Sequence, residues 1–344
     1  MAHKIEKPWD EVFSIEGTEW HRIAEHIPVI GEEQIKRLSY PIIESPAIVQ
    51  IDGRSVNLES YKVLVADHRQ CRPDLTEDQQ LVPLHIPKAG YKVIDNRQVW
   101  DCMVKAFNDL GVKVTSMGTL ERGKKFFISV DIGGSEIKMN KDRFRAYVNF
   151  ITSHDGELAM SVFDSLIRIV CMNTLIASQD AAGEVGFKAY HTKNADLAIS
   201  NLGELFNAIL KGRAAIAEVM TYLAGHKCDN NEALAMAAGY FCLETDKAEL
   251  STRTMNAAQG IATLFSRGMG NNGESLYDLA NGATEYWTSG EGTGKGKTDA
   301  GSRTYRSVLG SAAVHKQAFV AMLANDDKRK QALQLGKQAL ALAK

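Results

Sequence analysis

The spacing of apolar and polar positions changes twice along the chain, and the changes mark its parts. From Trp9 to about Tyr40 apolar residues recur at helical spacing, with a break at Pro28-Val29-Ile30-Gly31 that predicts two amphipathic pieces. The period then shortens to that of strands. Ala47–Ile51, Arg54–Leu58 and Tyr61–Ala66 are short apolar or alternating runs, and Asp52-Gly53 between the first two is a strong two-residue hairpin connection. Cys71–Gln80 is polar and acidic, holds Pro73, and reads as an exposed loop. Tyr91–Ile94 predicts a brief strand. Asp95 or Asn96 then caps a helix with Val99, Trp100, Met103, Phe107 and Leu110 at helical spacing, ended by Gly111. Val112–Leu120 and Lys124–Ile132 alternate around Arg122-Gly123 as a second hairpin, and Asp131–Ser135 is a turn. Arg143–Ile151 and Leu158–Phe163 predict two further strands joined by Thr152-Ser153-His154-Asp155-Gly156.

After Ile169 the pattern is helical and alanine-rich. Helices are expected over Cys171–Ala182, Asp196–Leu223, Asn230–Ala238, Asp246–Phe265, Ser275–Trp287, Thr304–Leu323 and Asp326–Ala343, with glycine-rich separators at Gly268–Gly273 and Ser289–Gly301. No repeat of fixed period is present. The expected fold is α+β: an N-terminal antiparallel, hairpin-rich sheet with packed helices over residues 1–182, then a mostly helical unit over 183–344.

Composition sharpens this without changing it. With 344 residues, 44% hydrophobic and 24% charged, the chain can bury a sizeable core and falls in the ordinary globular range. A formal net charge of -2 gives no global attraction to nucleic acid or an anionic membrane, so such binding would fall to local patches. The five cysteines, Cys71, Cys102, Cys171, Cys228 and Cys242, lie far apart with no paired or histidine-matched spacing. That argues against a zinc site or a disulfide framework and suits reduced thiols in a cytosol. Charges at the N-terminus, where a signal peptide needs an apolar run, and the lack of a spanning stretch predict a cytoplasmic protein with no membrane partner.

Three places carry candidate chemistry. Gly290 to Thr298 ends in Gly-Lys-Thr like a phosphate-binding loop, but Glu291 stands where that loop needs glycine, and a helix rather than a buried strand precedes it. A flexible basic loop is the better reading, and no nucleotide cofactor follows. His154-Asp155 offers a histidine beside a carboxylate, yet adjacent turn residues rarely aim at one target and Asp155-Gly156 is a good turn by itself. The third place is residues 111–150, where eight Lys and Arg face four acids. There Arg122, Lys124, Lys125, Phe126, Phe127, Lys138, Lys141, Arg143, Phe144, Arg145 and Tyr147 interleave cations with aromatics, a pattern that suits single-stranded nucleic acid. Half-exposed strands show the same alternation without any ligand.

From Tyr147 to Ser178 the sequence resembles the phage/plasmid-like family catalogued as domain of unknown function nine-three-two. The residues concerned are Ser153-His154-Asp155-Gly156-Glu157 and Arg168-Ile169-Val170-Cys171-Met172-Asn173-Thr174-Leu175. Supporting similarity lies at Tyr91-Lys92-Val93-Ile94-Asp95-Asn96 and at Asn281-Gly282-Ala283-Thr284-Glu285-Tyr286. Glu157 replaces a small polar residue of the family, and Met172 an alanine or glycine. The resemblance implies a mobile-element setting. The strand-helix-hairpin order from Tyr91 to Ile132 also looks like the core of single-strand annealing proteins, a fold-level analogy.

The expected function is therefore a phage or plasmid protein of the bacterial cytoplasm that binds single-stranded DNA, forms a homo-oligomer and supports strand annealing or recombination. No cofactor, metal or catalytic residue is needed. DNA would contact Arg122, Lys124, Lys125, Phe126, Lys141, Arg143, Phe144, Arg145, Tyr147 and Arg168. The alternatives are an anti-defence enzyme or inhibitor with a polar site at His154, Asp155 and Asn173, and a structural assembly protein.

Overall fold

The computed structural model describes residues 5–15, 24–131, 137–139, 142–168, 174–176, 187–189, 191, 218–247, 249–268, 270–289 and 311–343. The chain is α+β: sheets come first, and helices fill the C-terminal region. It divides into two compact units interleaved in sequence. One contains Met1–Gly134, Tyr147–Asp164 and Gly186–Lys211, the other Ser135–Ala146, Ser165–Val185 and Gly212–Lys344.

In the first unit, β1 (Val12–Ser14) and β2 (Glu25–His26) precede α1 (Glu32–Leu38). A separate sheet follows, formed by β3 (Ile42–Ile51), β4 (Arg54–Asp67) and β5 (Leu81–His85) in that order. Pro83 is tolerated because β5 is an edge strand. Tyr40, Leu64, Ala66, Val82 and Leu84 form the core of this sheet. Then come α2 (Asn96–Leu110), β6 (Lys113–Leu120), β7 (Lys125–Asp131), β9 (Asp142–Ser153) and β10 (Met160–Arg168), with β12 (Phe187–Ala189) on β10. Their order is β10-β9-β7-β6-β1-β2. Every residue from Thr115 to Leu120 and from Lys125 to Val130 is buried, so both faces of β6 and β7 are covered.

Several expectations change here. Among the described residues, helical spacing over Trp9–Tyr40 is realised in α1, whereas Val12-Phe13-Ser14 is buried throughout and pairs with β6 as a short strand. The approach is so close that a Cβ on Gly118 would lie 2.6 Å from the Glu11 carbonyl oxygen. Tyr91–Ile94 forms no strand, and its Lys92 N–H donates to the His191 carbonyl instead. Cys71–Gln80 is a loop with half of its residues exposed, as expected, but it is anchored. Arg72 is buried and donates to the Pro8 carbonyl at 2.8 Å, the Trp9 carbonyl at 3.0 Å and the Asp74 carboxylate at 2.7 Å, fastening the N-terminal segment.

In the second unit, β8 (Ile137–Met139) forms a hairpin with the start of β9, and β11 (Thr174–Ile176) pairs with the end of β10. The helix expected over Cys171–Ala182 is thus a strand at Thr174–Ile176, where β-branched residues at both ends suit ladder pairing. Among the described residues the helices are α3 (218–225), α4 (Asn230–Thr245), α5 (Thr252–Arg267), α6 (Leu276–Ser289), α7 (Ser311–Ala324) and α8 (Asp326–Leu342). Asp229 caps α4 by accepting the Asn231 and Glu232 N–H groups, and Asp246 closes that helix in the left-handed region. The predicted helix from Asp246 therefore starts later, behind the Ser251 cap. The glycine-rich segment Gly290–Thr298 lies outside the described residues, as does most of Asp196–Leu223. No helix among the described residues is long and apolar enough to cross a membrane.

Candidate functional site

The cations and aromatics singled out in the sequence separate into three groups. In the β6–β7 turn, Glu121, Arg122 and Gly123 all adopt positive φ, and a Cβ on Gly123 would also lie 2.7 Å from the Tyr40 hydroxyl. The glycine is thus required twice over. Arg122 is half-exposed, donates to the Glu6 carboxylate at 2.6 Å and stacks 4.4 Å over the Trp9 ring. Lys124 is half-buried.

The second group is buried and cannot act as expected. Lys125 is 0% exposed, with its ammonium 2.7 Å from Glu121, 2.6 Å from Glu157 and 3.5 Å from Asp155. Phe126 is 0% and Tyr147 1% exposed. A ring enclosed on both faces offers nothing for a base to stack on, so Lys125, Phe126 and Tyr147 leave the set of nucleic-acid contacts. They belong to the core instead.

The third group lies on hairpin β8–β9. The backbone register sets Lys138 opposite Arg143 and Ile137 opposite Phe144, with Arg145 next along β9. Arg168 ends β10. Lys141 and Asn173 lie outside the described residues.

The histidine turn is built into the first unit rather than opened to solvent. The His154 N–H donates to the Lys124 carbonyl at 2.7 Å, and its ring Nε2 meets Asn96 Oδ1 at 3.0 Å, while the Asn96 amide donates to the Leu38 carbonyl at 2.8 Å. Since Oδ1 only accepts, this assigns the imidazole proton to Nε2. His154 is 0% exposed. Burial, and secondarily His191, pushes its pKa down to about 3, so the ring is neutral at pH 7. A general base must reach a substrate proton, and an enclosed ring held by Asn96 does not.

Asp155 accepts the Glu157 N–H at 3.0 Å, and the Ser153 hydroxyl both donates to the Leu158 carbonyl and accepts its N–H. Gly156 has φ 75, and a Cβ there would meet His85 at 3.0 Å. His191, which sequence spacing could not single out, completes the arrangement. It bonds Thr152 at 3.0 Å and the Lys92 carbonyl at 3.1 Å, and stacks on Tyr91 at 4.8 Å. Tyr91 in turn donates to the Ser153 carbonyl at 3.0 Å. Two segments that are distant in sequence, Tyr91–Asn96 and Ser153–Gly156, thus meet in one hydrogen-bonded cluster.

Two other features could suggest a ligand. The carboxylate oxygens of Glu121, Asp155 and Glu157 lie within 4.8 Å of one another, a spacing a cation could use. The Lys125 ammonium already lies among them, within ion-pair distance of all three carboxylates. In the second unit a cavity of about 1240 Å³ is lined by Lys227, Cys228, Asp229, Glu232, Glu274 and Asp278, among others. Its acids serve the backbone: Asp229 and Glu232 form the capping box of α4, and Asp278 accepts the Glu274 and Ser275 N–H groups at 3.1 Å. Burial pushes the Cys228 thiol up to about 12, so it is not a ready nucleophile.

A model of the family described as "Domain of unknown function (DUF932)" matches residues 83–309. The matched span holds the histidine turn and hairpin β8–β9, and excludes the ribbon made by β3 and β4. No curated protein and no solved structure matches the chain.

Proposed function

Because the chain belongs to the DUF932 family, and the matched span carries its basic hairpin, we propose that it binds single-stranded DNA along hairpin β8–β9 and acts as an oligomer. The observation that carries this is the opposed register of Lys138 and Arg143. Cations directly across an antiparallel pair repel, and an anion bridging them turns that cost into attraction. Residues 135–146 contain Lys138, Lys141, Arg143 and Arg145 against Glu136 and Asp142. Strand alternation sets Arg143 and Arg145 on one face of β9, with Lys138 across from Arg143, so the cations share a face and Phe144 lies on the other.

Covered faces of β6 and β7 argue against DNA lying across the sheet centre, and a hairpin suits an extended strand. Holding strands extended is sufficient for annealing, so this role requires no general base at His154. The setting we propose is a phage or plasmid, with annealing or recombination as the task. A gel-shift comparison tests it. Labelled single strand should shift at low salt and duplex of the same sequence more weakly, and Lys138→Glu with Arg143→Glu should weaken binding at least tenfold. Failure of the single strand to shift at low salt would sink the proposal.

A further inference from the structure

Arg122, in the β6–β7 turn, is held in place while most of its guanidinium stays open. Its backbone N–H and that of Gly123 donate to the buried Asp10 carboxylate at 2.9 and 2.8 Å, which ties the turn from behind. The guanidinium lies 4.4 Å over the Trp9 ring. That ring is itself fixed. Its Nε1–H donates to the Gln79 carbonyl at 3.0 Å, and buried Arg72 donates to the Pro8 and Trp9 carbonyls at 2.8 and 3.0 Å.

Among the described residues, the guanidinium makes a single hydrogen bond, from Nε to the Glu6 carboxylate at 2.6 Å, and Nη1 and Nη2 donate to no partner. Other arginines differ. Arg72 commits all three nitrogens, and Arg37 and Arg69 each commit Nε and Nη2 to one carboxylate. Arg122 thus presents a planar edge of two nitrogens on a side chain that is 50% exposed. A guanidinium edge pre-set by stacking takes a phosphate through two parallel N–H···O bonds and loses little side-chain freedom in doing so.

We propose that this edge of Arg122 is a phosphodiester site for single-stranded DNA, and that the Glu6 carboxylate is a built-in competitor for it. The inference rests on the DNA-binding function proposed above, and adds to the hairpin a contact made by the first unit. Glu6 shows the chemistry directly, since it is an anion already held by this guanidinium. Its side chain is 33% exposed, and a solvent-facing ion pair exchanges at little cost. Asp10 is not the competitor. It is fully buried and accepts three backbone N–H groups, from Glu6, Arg122 and Gly123, so it keeps the turn in shape when Glu6 swings away.

Fluorescence anisotropy of the full chain with a labelled oligothymidylate, over a salt series, tests this. Arg122→Gln should lower the log–log salt slope by roughly 0.7, the value of one phosphate contact. Glu6→Gln should tighten binding about threefold, as loss of a competing exposed carboxylate predicts, and should change nothing in an Arg122→Gln background. Glu32→Gln removes the same charge from the exposed pair with Arg97 and should leave affinity unchanged. Melting temperatures should match the wild type, because the bonds to Asp10 come from backbone groups that every variant keeps. An unchanged slope in Arg122→Gln, or a Glu6→Gln affinity no higher than that of the wild type or of Glu32→Gln, would overturn the inference. A wild type that does not bind removes the DNA function together with this site. One that binds through Lys138 and Arg143 yet ignores Arg122 and Glu6 leaves that function standing and removes this site alone.

Discussion

Lys125 carries the same charge as Lys138, yet its surroundings give it a different task. Enclosed by Glu121, Asp155 and Glu157, it holds the end of β7 to the histidine turn. Removing one partner of a buried ion pair strands the rest. Lys125→Met should therefore destabilise the first unit by about 3 kcal/mol in urea unfolding, whereas Lys124→Met should cost less than about 1 kcal/mol. Histidine burial gives a pH signature. His154 is held down to about 3 and His68 to about 4, both chiefly by burial. The unfolded chain takes up these protons near pH 6.5 and the folded one resists. Their stabilisation is thus complete above about pH 6.5 and is lost as pH falls toward 3, on the order of 4 kcal/mol for His154. Asp10, pushed up to about 6 by burial, works in the opposite sense between its ordinary value and 6, and offsets part of the loss. Urea midpoints at pH 7.5 and 4.5 should show a smaller drop for His154→Gln than for the wild type. At this scale the sequence marked His154-Asp155 as a turn, and the structure agrees. It could not pair Thr152 with His191 or His154 with Asn96, since those partners lie 39 and 58 residues apart and no spacing encodes that.

Elements were legible where local chemistry decides them. Asp52-Gly53, Arg122-Gly123 and the Asp95 to Gly111 helix all sit within a residue or two of their expected places, because turn and cap residues act on their immediate neighbours. The strands β1 and β11 were not legible: each is three residues long and exists through pairing with a distant strand. Close backbone contacts were equally hidden. A Cβ on Gly336 would lie 1.7 Å from the Ala235 carbonyl oxygen, and one on Gly239 1.8 Å from that of Ala332, so α4 and α8 touch through backbone. Gly336→Ala should cost the helical unit 1–3 kcal/mol or more, although alanine is the better helix former. Gly118→Ala should do the same to the first unit by displacing β1. Melting curves check both, and an unchanged or raised melting temperature would contradict the close approach.

The whole molecule distributes its roles among separate elements. A buried polar cluster ties the N-terminal strap, α2 and the histidine turn into one body, and the hairpin proposed to bind DNA, β8–β9, is a different element. The sequence located the basic region but not which of its cations reach solvent. Alternation along a strand cannot say whether a second layer covers it, and Lys125, Phe126 and Tyr147 proved to be under one. The decisive measurement is the salt dependence of binding to a labelled oligothymidylate, followed by fluorescence anisotropy for the wild type and for Lys138→Glu with Arg143→Glu. The account predicts that affinity falls steeply with salt in the wild type, and that the variant loses roughly 1.4 from the log–log slope, about 0.7 for each lost phosphate contact. A wild type that does not bind at low salt, or a variant with an unchanged slope, would contradict it.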